Sequence, residues 1–472
     1  MEGMTQPASP GETISARPPP VNRGALFAIF TGALLMMAVD TTIVATALHT
    51  LQHGLDTSVN WAGWTITAYL FGYVLMLSVS GKLAERYGLR RVFLVSLAVF
   101  TIASLCCGLV TSIFELIPLR ALQAAGGAAF TPLSTAAAVR YFGDTRDRAV
   151  SLFGSFFPIG AMIGPIVGGL LIEYWSWRGV FFVNVPIGTA VFLFSLRYVP
   201  RDAATPREAW QPMDLRGMAW LGLGLLAVML AVSALGERGG EPLGLTLGVP
   251  TLVAIGAFAI FAWHVRRTAA PFIAPRLIWG RGFGVVNLIN GLYTGGAYGS
   301  LALIPLYATN RYGLGALDSG TLLMAEGIAV TVVSIGFAFA LRRTGYRPPM
   351  YVGNLVVAAS FAWLAIAPPP SFTPYLWLAV AAFFIGVGYG ITNPASRNAS
   401  LQLAPDQSAA IAALRSMCLQ IGSILAVSIG TAVVASSGDS GMAQAWYFVA
   451  VAAMFVVAMP LIARVPEHHG GW

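Results

Sequence analysis

The chain has 472 residues, of which 27 basic and 19 acidic side chains carry charge, where a soluble protein with about a quarter of its residues charged would carry roughly 118. That deficit, beside 57% apolar residues, excludes an ordinary cytosolic enzyme and fits a chain mostly immersed in lipid. The net charge of +8 would suit nucleic acid, but its placement between apolar runs assigns it to membrane orientation instead. Lys82 is the only lysine, a bias that fits a GC-rich bacterial genome.

Residues 1–23 are polar and proline-rich and lack the apolar stretch and small-residue cleavage site of a secretory signal, so the first apolar run stays as a spanning helix. Apolar spans follow at 24–48, 61–80, 91–110, 113–138, 149–172 and 178–198. After a charged stretch from Arg197 to Arg216 come spans at 215–235 and 244–264, then a second basic stretch from Arg266 to Arg281. The remaining spans are 283–306, 317–341, 349–367, 372–394, 408–435 and 443–463. The pattern is six, two, six. It predicts an all-α polytopic membrane protein of fourteen transmembrane helices: a cytoplasmic tail at 1–23, a six-helix bundle at 24–198, linkers and an inserted helix pair at 199–282, a second six-helix bundle at 283–465 and a tail at 466–472. If the chain switches sides after every span, 22 basic residues fall on the side of the N-terminus and three on the other, Arg178, Arg238 and Arg311, with Arg120 and Arg415 inside spans. That asymmetry places both termini in the cytoplasm.

The two halves echo each other weakly. Aligning Gly88 with Gly345 superposes Arg86 on Arg343 and Arg90 on Arg347, each loop following the second helix of its half. Duplicated six-helix halves with a substrate site between them are a transporter architecture.

Three ionisable residues lie inside spans at informative depths. Asp40 is eight residues from the outer end of its helix, about 12 Å deep at 1.5 Å per residue, and Arg120 is seven from the outer start of its own, about 10 Å deep. Charges at matched depth approach each other or share water, either as a structural ion pair or as a proton site that changes state when water enters or the pair separates. Glu326 sits near mid-membrane with no basic residue within a turn, and its partner is a proton, a cationic substrate or Arg415. Gly160, Gly164 and Gly168 recur every four residues and open a strip for close helix approach. Asn287, Asn290, Thr294 and Tyr298 form one polar stripe on the ninth span, a hydrogen-bonding seam or a cavity wall. Cys106, Cys107 and Cys418 lie in apolar runs without disulfide or zinc-ligand spacing. No metal or cofactor site is expected. An enzyme is disfavoured too, because His49, His53, His468 and His469 fall outside the spans and His264 falls at a cytoplasmic end. No phosphate-cradling glycine-lysine loop is present, so an active transporter of this sequence draws on an ion gradient.

Ordered motifs across most of the chain, strongest in residues 24–190, resemble the fourteen-helix drug:proton antiporters of the major facilitator superfamily, the EmrB/QacA type. The first helix carries Asp40, Thr41 and Thr42 before a small-residue run, with His49 where proline is usual. The loop motif is met by Gly81, Leu83, Ala84, Arg86, Gly88, Arg90 and Arg91, with Glu85 for the family's aspartate and Leu89 at one basic position. Arg120 and Gln123 match the fourth-helix pattern, and Gly160, Gly164, Pro165, Gly168 and Gly169 match the exporters' glycine-proline motif. Trp177, Arg178, Phe181, Asn184 and Pro186 complete a further block, and Pro271, Ile273, Arg276, Leu277, Arg281 and Phe283 match in the second linker.

The resemblance implies export of small amphipathic, cationic compounds in exchange for protons, or of a native lipid, siderophore or metabolite by the same mechanism. With the depths and spacings above, it gives proton coupling through Asp40, Arg120 and Glu326, a gating loop from Gly81 to Arg91 in which Glu85 pairs with Arg140 or Arg148, and a substrate cavity that includes Gln123, Asn290 and Glu326 as expectations. The expected partners are a small-molecule substrate, protons and the lipid bilayer, with no nucleic acid, for a monomer in the bacterial inner membrane.

Overall fold

The computed structural model describes residues 22–202, 214–236, 243–268, 271, 273–280, 282–403, 408–465 and 467. The regular structure of the described residues is all helix, with no strand among them, as a chain in hydrocarbon requires, because a helix satisfies its own backbone donors and acceptors where no water can. The first half runs through α1 (Arg23–Gly54), α2 (Val59–Tyr87), α3 (Leu89–Leu109), α4 (Ile113–Gly127), α5 (Phe130–Tyr141), α6 (Arg146–Tyr174), α7 (Gly179–Phe182) and α8 (Asn184–Tyr198). A hairpin of α9 (Leu215–Gly236) and α10 (Leu243–Arg267) follows, then the short α11 (Pro275–Trp279). The second half holds α12 (Phe283–Ile289), α13 (Gly296–Leu301), α14 (Ile304–Tyr312), α15 (Ala316–Thr344), α16 (Arg347–Ala365), α17 (Pro374–Gln402), α18 (Ser408–Ala435) and α19 (Ser440–Ala458). Among the described residues ten helices are long and apolar enough to cross a membrane. Side chains of Asn22, Ser58, Ser112, Thr373 and Asp439 cap helix starts by accepting from backbone N–H groups.

Three expected spans are interrupted, the sixth only at Val183 between α7 and α8. The fourth breaks between Gly127 and Phe130, just after the Gly126-Gly127 pair. The ninth contains a π turn over Asn290–Gly295 between α12 and α13. A π turn resets the angular register, so the stripe expected from Asn287 to Tyr298 does not stay on one face. Asn287 donates to the carbonyl of Leu277 at 2.8 Å, Asn290 donates to the carbonyl of Arg415 at 2.6 Å, and Tyr298 turns to the interior cavity.

Glycines set the closest helix approaches. A Cβ at Gly160 would lie 2.5 Å from the Ala38 Cβ, one at Gly164 2.8 Å from the Val39 carbonyl, and one at Gly168 2.9 Å from the Ile43 carbonyl. The strip on α6 therefore seats the face of α1 that carries Ala38, Thr42 and Thr46, leaving Asp40 to face away from α6. Pro165 and Gly169 do something different, since they meet the second half: a Cβ at Gly169 would be 2.8 Å from the Leu317 Cα, and one at Gly320 would be 2.5 Å from the Pro165 carbonyl. The halves thus touch along a seam of α6 with α15 and a second of α2 with α18, where Gly63 leaves room for Thr431. The inserted α9 lies over the second seam, in contact with both α2 and α18. Its Ser233 accepts from Asn60 Nδ2 at 2.6 Å and from Trp64 Nε1 at 3.1 Å.

Candidate functional site

Asp40 sits in the middle of α1 with no solvent exposure, and Arg120 of α4 is 1% exposed. Arg120 Nη1 donates to Asp40 Oδ2 at 2.9 Å. The other carboxylate oxygen accepts from Gln123 Nε2 at 2.9 Å and from Asn184 Nδ2 at 2.7 Å. Asn184 also donates to Ser104 Oγ at 3.1 Å, which ties α1, α3, α4 and α8 together at one level. The rest of the guanidinium is satisfied locally: Nη1 reaches Gln123 Oε1 at 2.6 Å, Nε reaches the Thr65 carbonyl at 3.3 Å, and the ring of Tyr69 lies 4.3 Å from its carbon. A buried ion pair is tolerated when its remaining lone pairs and protons find partners, and here both carboxylate oxygens and the Nε and Nη1 of Arg120 do. Gln123, expected on the cavity wall, belongs to this buried network instead.

Sequence reasoning paired Asp40 with Arg120 by depth but missed Ser104, Thr65 and Tyr69. Small hydroxyl and aromatic residues are common in spans, and nothing in their spacing distinguishes these three. Asn184 was noted as part of a motif block without a role, and the structure places it on the carboxylate.

One residue beyond Asp40 the environment changes. Thr41 and Thr42 line a narrow central cavity of about 60 Å³, together with Ile66 and Leu70 of α2, Tyr298 of α13, Glu326 of α15 and Ser423 of α18. Both halves contribute to its wall. Thr41 Oγ1 lies 3.4 Å from the hydroxyl of Tyr69, whose ring stacks on Arg120, so the cavity wall and the buried pair are connected through two side chains. Glu326 faces the cavity, and among the described residues its carboxylate has no ion-pair partner. Arg415, one of the three partners considered, instead donates from Nη2 to Asn393 Oδ1 on α17. Asn290 is off the cavity wall, turned toward α18 by its bond to the Arg415 carbonyl.

The loop from Gly81 to Arg91 is organised by an acid outside it. Gly88 takes φ +93°, a conformation that favours glycine, and a Cβ there would collide with Asp202. Asp202 follows α8 and accepts from the backbone N–H groups of Arg90 and Arg91 at 3.2 Å each, where a carboxylate also complements the positive end of α3. Arg140 Nη1 lies 3.7 Å from the same carboxylate, so Arg140 meets Asp202 here. The Glu85 and Arg148 side chains, expected in this cluster, lie outside the described residues. Arg90 Nη2 donates to the Leu196 carbonyl at 2.7 Å, and Arg86 lies over the ring of Tyr87.

The second half repeats the device. Gly345 has φ +71°, and Glu467 accepts from the backbone N–H groups of Tyr346 at 2.5 Å and Arg347 at 3.1 Å. The alignment of Gly88 with Gly345 thus joins two loops of the same construction. The missed signal was a Val-Pro pair followed closely by an acid, Val199, Pro200 and Asp202 in one half and Val465, Pro466 and Glu467 in the other.

Comparison with known proteins agrees with this geometry. The sequence profile described as Major Facilitator Superfamily matches residues 28–427 and, overlapping them, 301–471. The Methylenomycin A resistance protein of Streptomyces coelicolor is 30% identical over 451 residues, 93% of this chain and 92% of that one. The Multidrug resistance protein B homolog of Mycobacterium tuberculosis is 30% identical over 405 residues, 85% of this chain and 73% of that one. Among solved structures, a D-xylose-proton symporter superposes with a TM-score of 0.67 at 13% identity, covering 94% of this chain and 98% of that one. The peptide transporter POT in complex with sulfate does so with 0.64 at 15% identity, covering 93% and 94%. Two helical halves around a shared cavity, a profile match over most of the length and these relatives together show that the chain is a membrane transporter of the major facilitator superfamily.

Proposed function

We propose that this chain is a proton-coupled exporter of small amphipathic compounds, cations among them, working as a monomer in the bacterial inner membrane. The observation that carries the reading is a buried Asp40–Arg120 pair linked through Tyr69 and Thr41 to a cavity whose wall holds Glu326, which has no ion-pair partner among the described residues. Relatives named for multidrug, methylenomycin and puromycin resistance support export of foreign compounds. In this reading the chain crosses the membrane fourteen times with both termini cytoplasmic, as bundles 24–198 and 283–465 around an inserted pair within 199–282. The basic-residue asymmetry supports that orientation.

With the termini inside, the close cross-half approaches at Gly63, Gly169 and Gly320 lie toward the outer side, so this geometry corresponds to an outward-closed state. Coupling then works by exchange. A proton arriving at Asp40 neutralises the carboxylate and leaves Arg120 without its counter-charge, which loosens the α1–α4 contact. Because Thr41 and Thr42 adjoin Asp40 on α1, that change is felt directly at the cavity wall. Substrate at Glu326 and proton at Asp40 thereby favour different arrangements of the same helix, the requirement for antiport. The loop from Gly81 to Arg91, with Glu85 among its charges, holds one of the two arrangements.

Inverted membrane vesicles test the reading directly. Vesicles carrying the chain should accumulate cationic amphiphiles when acidified inside, and collapse of the proton gradient should release them. Accumulation indifferent to the gradient would remove proton coupling.

A further inference from the structure

The final turns of α1 carry His49 and His53, whose spacing of four residues stacks the two side chains on one face of the helix. Their ring centroids lie 4.6 Å apart at an interplanar angle of 60°. His49 is half-buried and His53 exposed, and among the described residues neither imidazole has a hydrogen-bond or ion-pair partner. The transport reading above uses neither group.

Two imidazoles four residues apart on a helix can share a metal ion. With metal–nitrogen bonds of about 2.0–2.1 Å, two rings on one ion have centroids about 4.5–5 Å apart at right-angled or tetrahedral coordination. The rings of His49 and His53 already stand at that separation, and rotation about χ2 aims a nitrogen of each at a common point. The helix end contributes as well, because the last carbonyls of α1 carry the negative end of its dipole and favour a cation. Among the described residues no third His, Cys, Asp or Glu joins the pair, which leaves the other coordination positions to water.

We propose that His49 and His53 together bind one divalent transition-metal ion, Cu²⁺ most tightly and Ni²⁺ and Zn²⁺ less so. Imidazole suits these ions, whereas Mg²⁺ and Ca²⁺ take oxygen ligands. Thr46 precedes His49 by three residues on the same face, and its methyl carbon would be 3.0 Å from a Cβ at Gly320 of α15. The ion therefore sits just beyond the point where α1 meets the second half, on the outer side in the orientation proposed above. Its binding does not depend on what the chain transports.

The test uses the full-length chain in nanodiscs, with His468→Gln and His469→Gln in every sample so that the adjacent tail histidines do not compete. Cu²⁺ held by nitrilotriacetate is the probe, followed by calorimetric titration and by the nitrogen modulation of its electron spin echo. This parent chain should bind one Cu²⁺ complex whose modulation reports two imidazoles. His49→Gln and His53→Gln should each weaken binding at least about tenfold, because the second ligand on one helix acts at a high effective concentration. Each should also reduce the modulation to one imidazole. No binding by the parent, or a single-imidazole spectrum from it, would overturn the proposal without any substitution at the site. Unchanged affinity in both His49→Gln and His53→Gln would place the ion elsewhere and overturn it too.

Discussion

Substituting Asp40 by Asn keeps the side chain's shape and removes its charge, which separates the two roles open to the buried pair. In the wild type the carboxylate accepts three hydrogen bonds of 2.7 to 2.9 Å from Asn184, Gln123 and Arg120. After the substitution Arg120 keeps the Gln123 oxygen, the Thr65 carbonyl and the Tyr69 ring but has no counter-charge. Removing one member of a buried pair costs about 3–5 kcal/mol, most of it the uncompensated charge left behind. Substituting Arg120 by Gln in the same chain removes that charge too, so the double variant should recover most of the loss, with a coupling energy of about 2–3 kcal/mol between the sites. Transport should not recover with it, because neither variant can exchange a proton against the pair. The assay is a double-mutant cycle of unfolding in detergent beside gradient-driven efflux in vesicles. Wild-type efflux by the double variant would show that the pair only holds helices together. An Asp40→Asn chain no less stable than the double variant would contradict the pairing geometry itself.

Glu326→Gln should lose transport of permanently charged cations and retain some neutral compounds; loss of gradient coupling for every substrate would make Glu326 a proton site instead, and unchanged transport would leave it a packing residue. Asp202→Asn should destabilise the first half by about 1–2 kcal/mol by weakening the hold on the start of α3, seen as a lower unfolding temperature in detergent, and an unchanged transition would dismiss the clasp. Gly164→Val should cost about 1–3 kcal/mol by forcing α6 off α1, whereas Gly169→Val should open the α6–α15 seam and increase labelling of cysteines placed near the outer side; identical effects of the two would erase the distinction drawn between their faces. Glu85→Gln should shift the ratio of inward to outward accessibility more than it shifts substrate affinity, and an unchanged labelling ratio would end the gating role of that loop.

Much of the helix arrangement was legible because lipid leaves the chain few options. A run such as 24–48 must be helical in hydrocarbon, and basic residues between runs mark the loops. The depth of Asp40 and Arg120 followed from the rise per residue alone. What lay hidden was angular. The π turn at Asn290–Gly295 shifts register without altering hydropathy, so Asn290 faced α18 where a regular helix would have kept it in line with Tyr298. Gln123 was expected on the cavity and in the structure donates to Asp40, a difference depth could not show because it does not tell which side of a helix a neighbour occupies. Asp202 and Glu467 were overlooked for another reason: each caps a helix from far along the chain, and its one mark in the sequence is the Val-Pro pair just before it, repeated in the two halves.

The hairpin of α9 and α10 gives the two seams unequal surroundings. Polar bonds from Asn60 and Trp64 fasten α9 to α2, while it also rests against α18, so acyl chains meet a third helix on that flank. On the opposite flank Ile159 and Ile163 of α6 and Ile328 and Val332 of α15 are exposed, an apolar border facing the bilayer directly. A solute dissolved in the membrane therefore encounters a protein with one shielded side and one bare side. For such a solute the concentration that governs uptake is the one in the leaflet, and diluting the vesicles with extra lipid at fixed total drug should slow export of oily compounds more than of water-soluble ones.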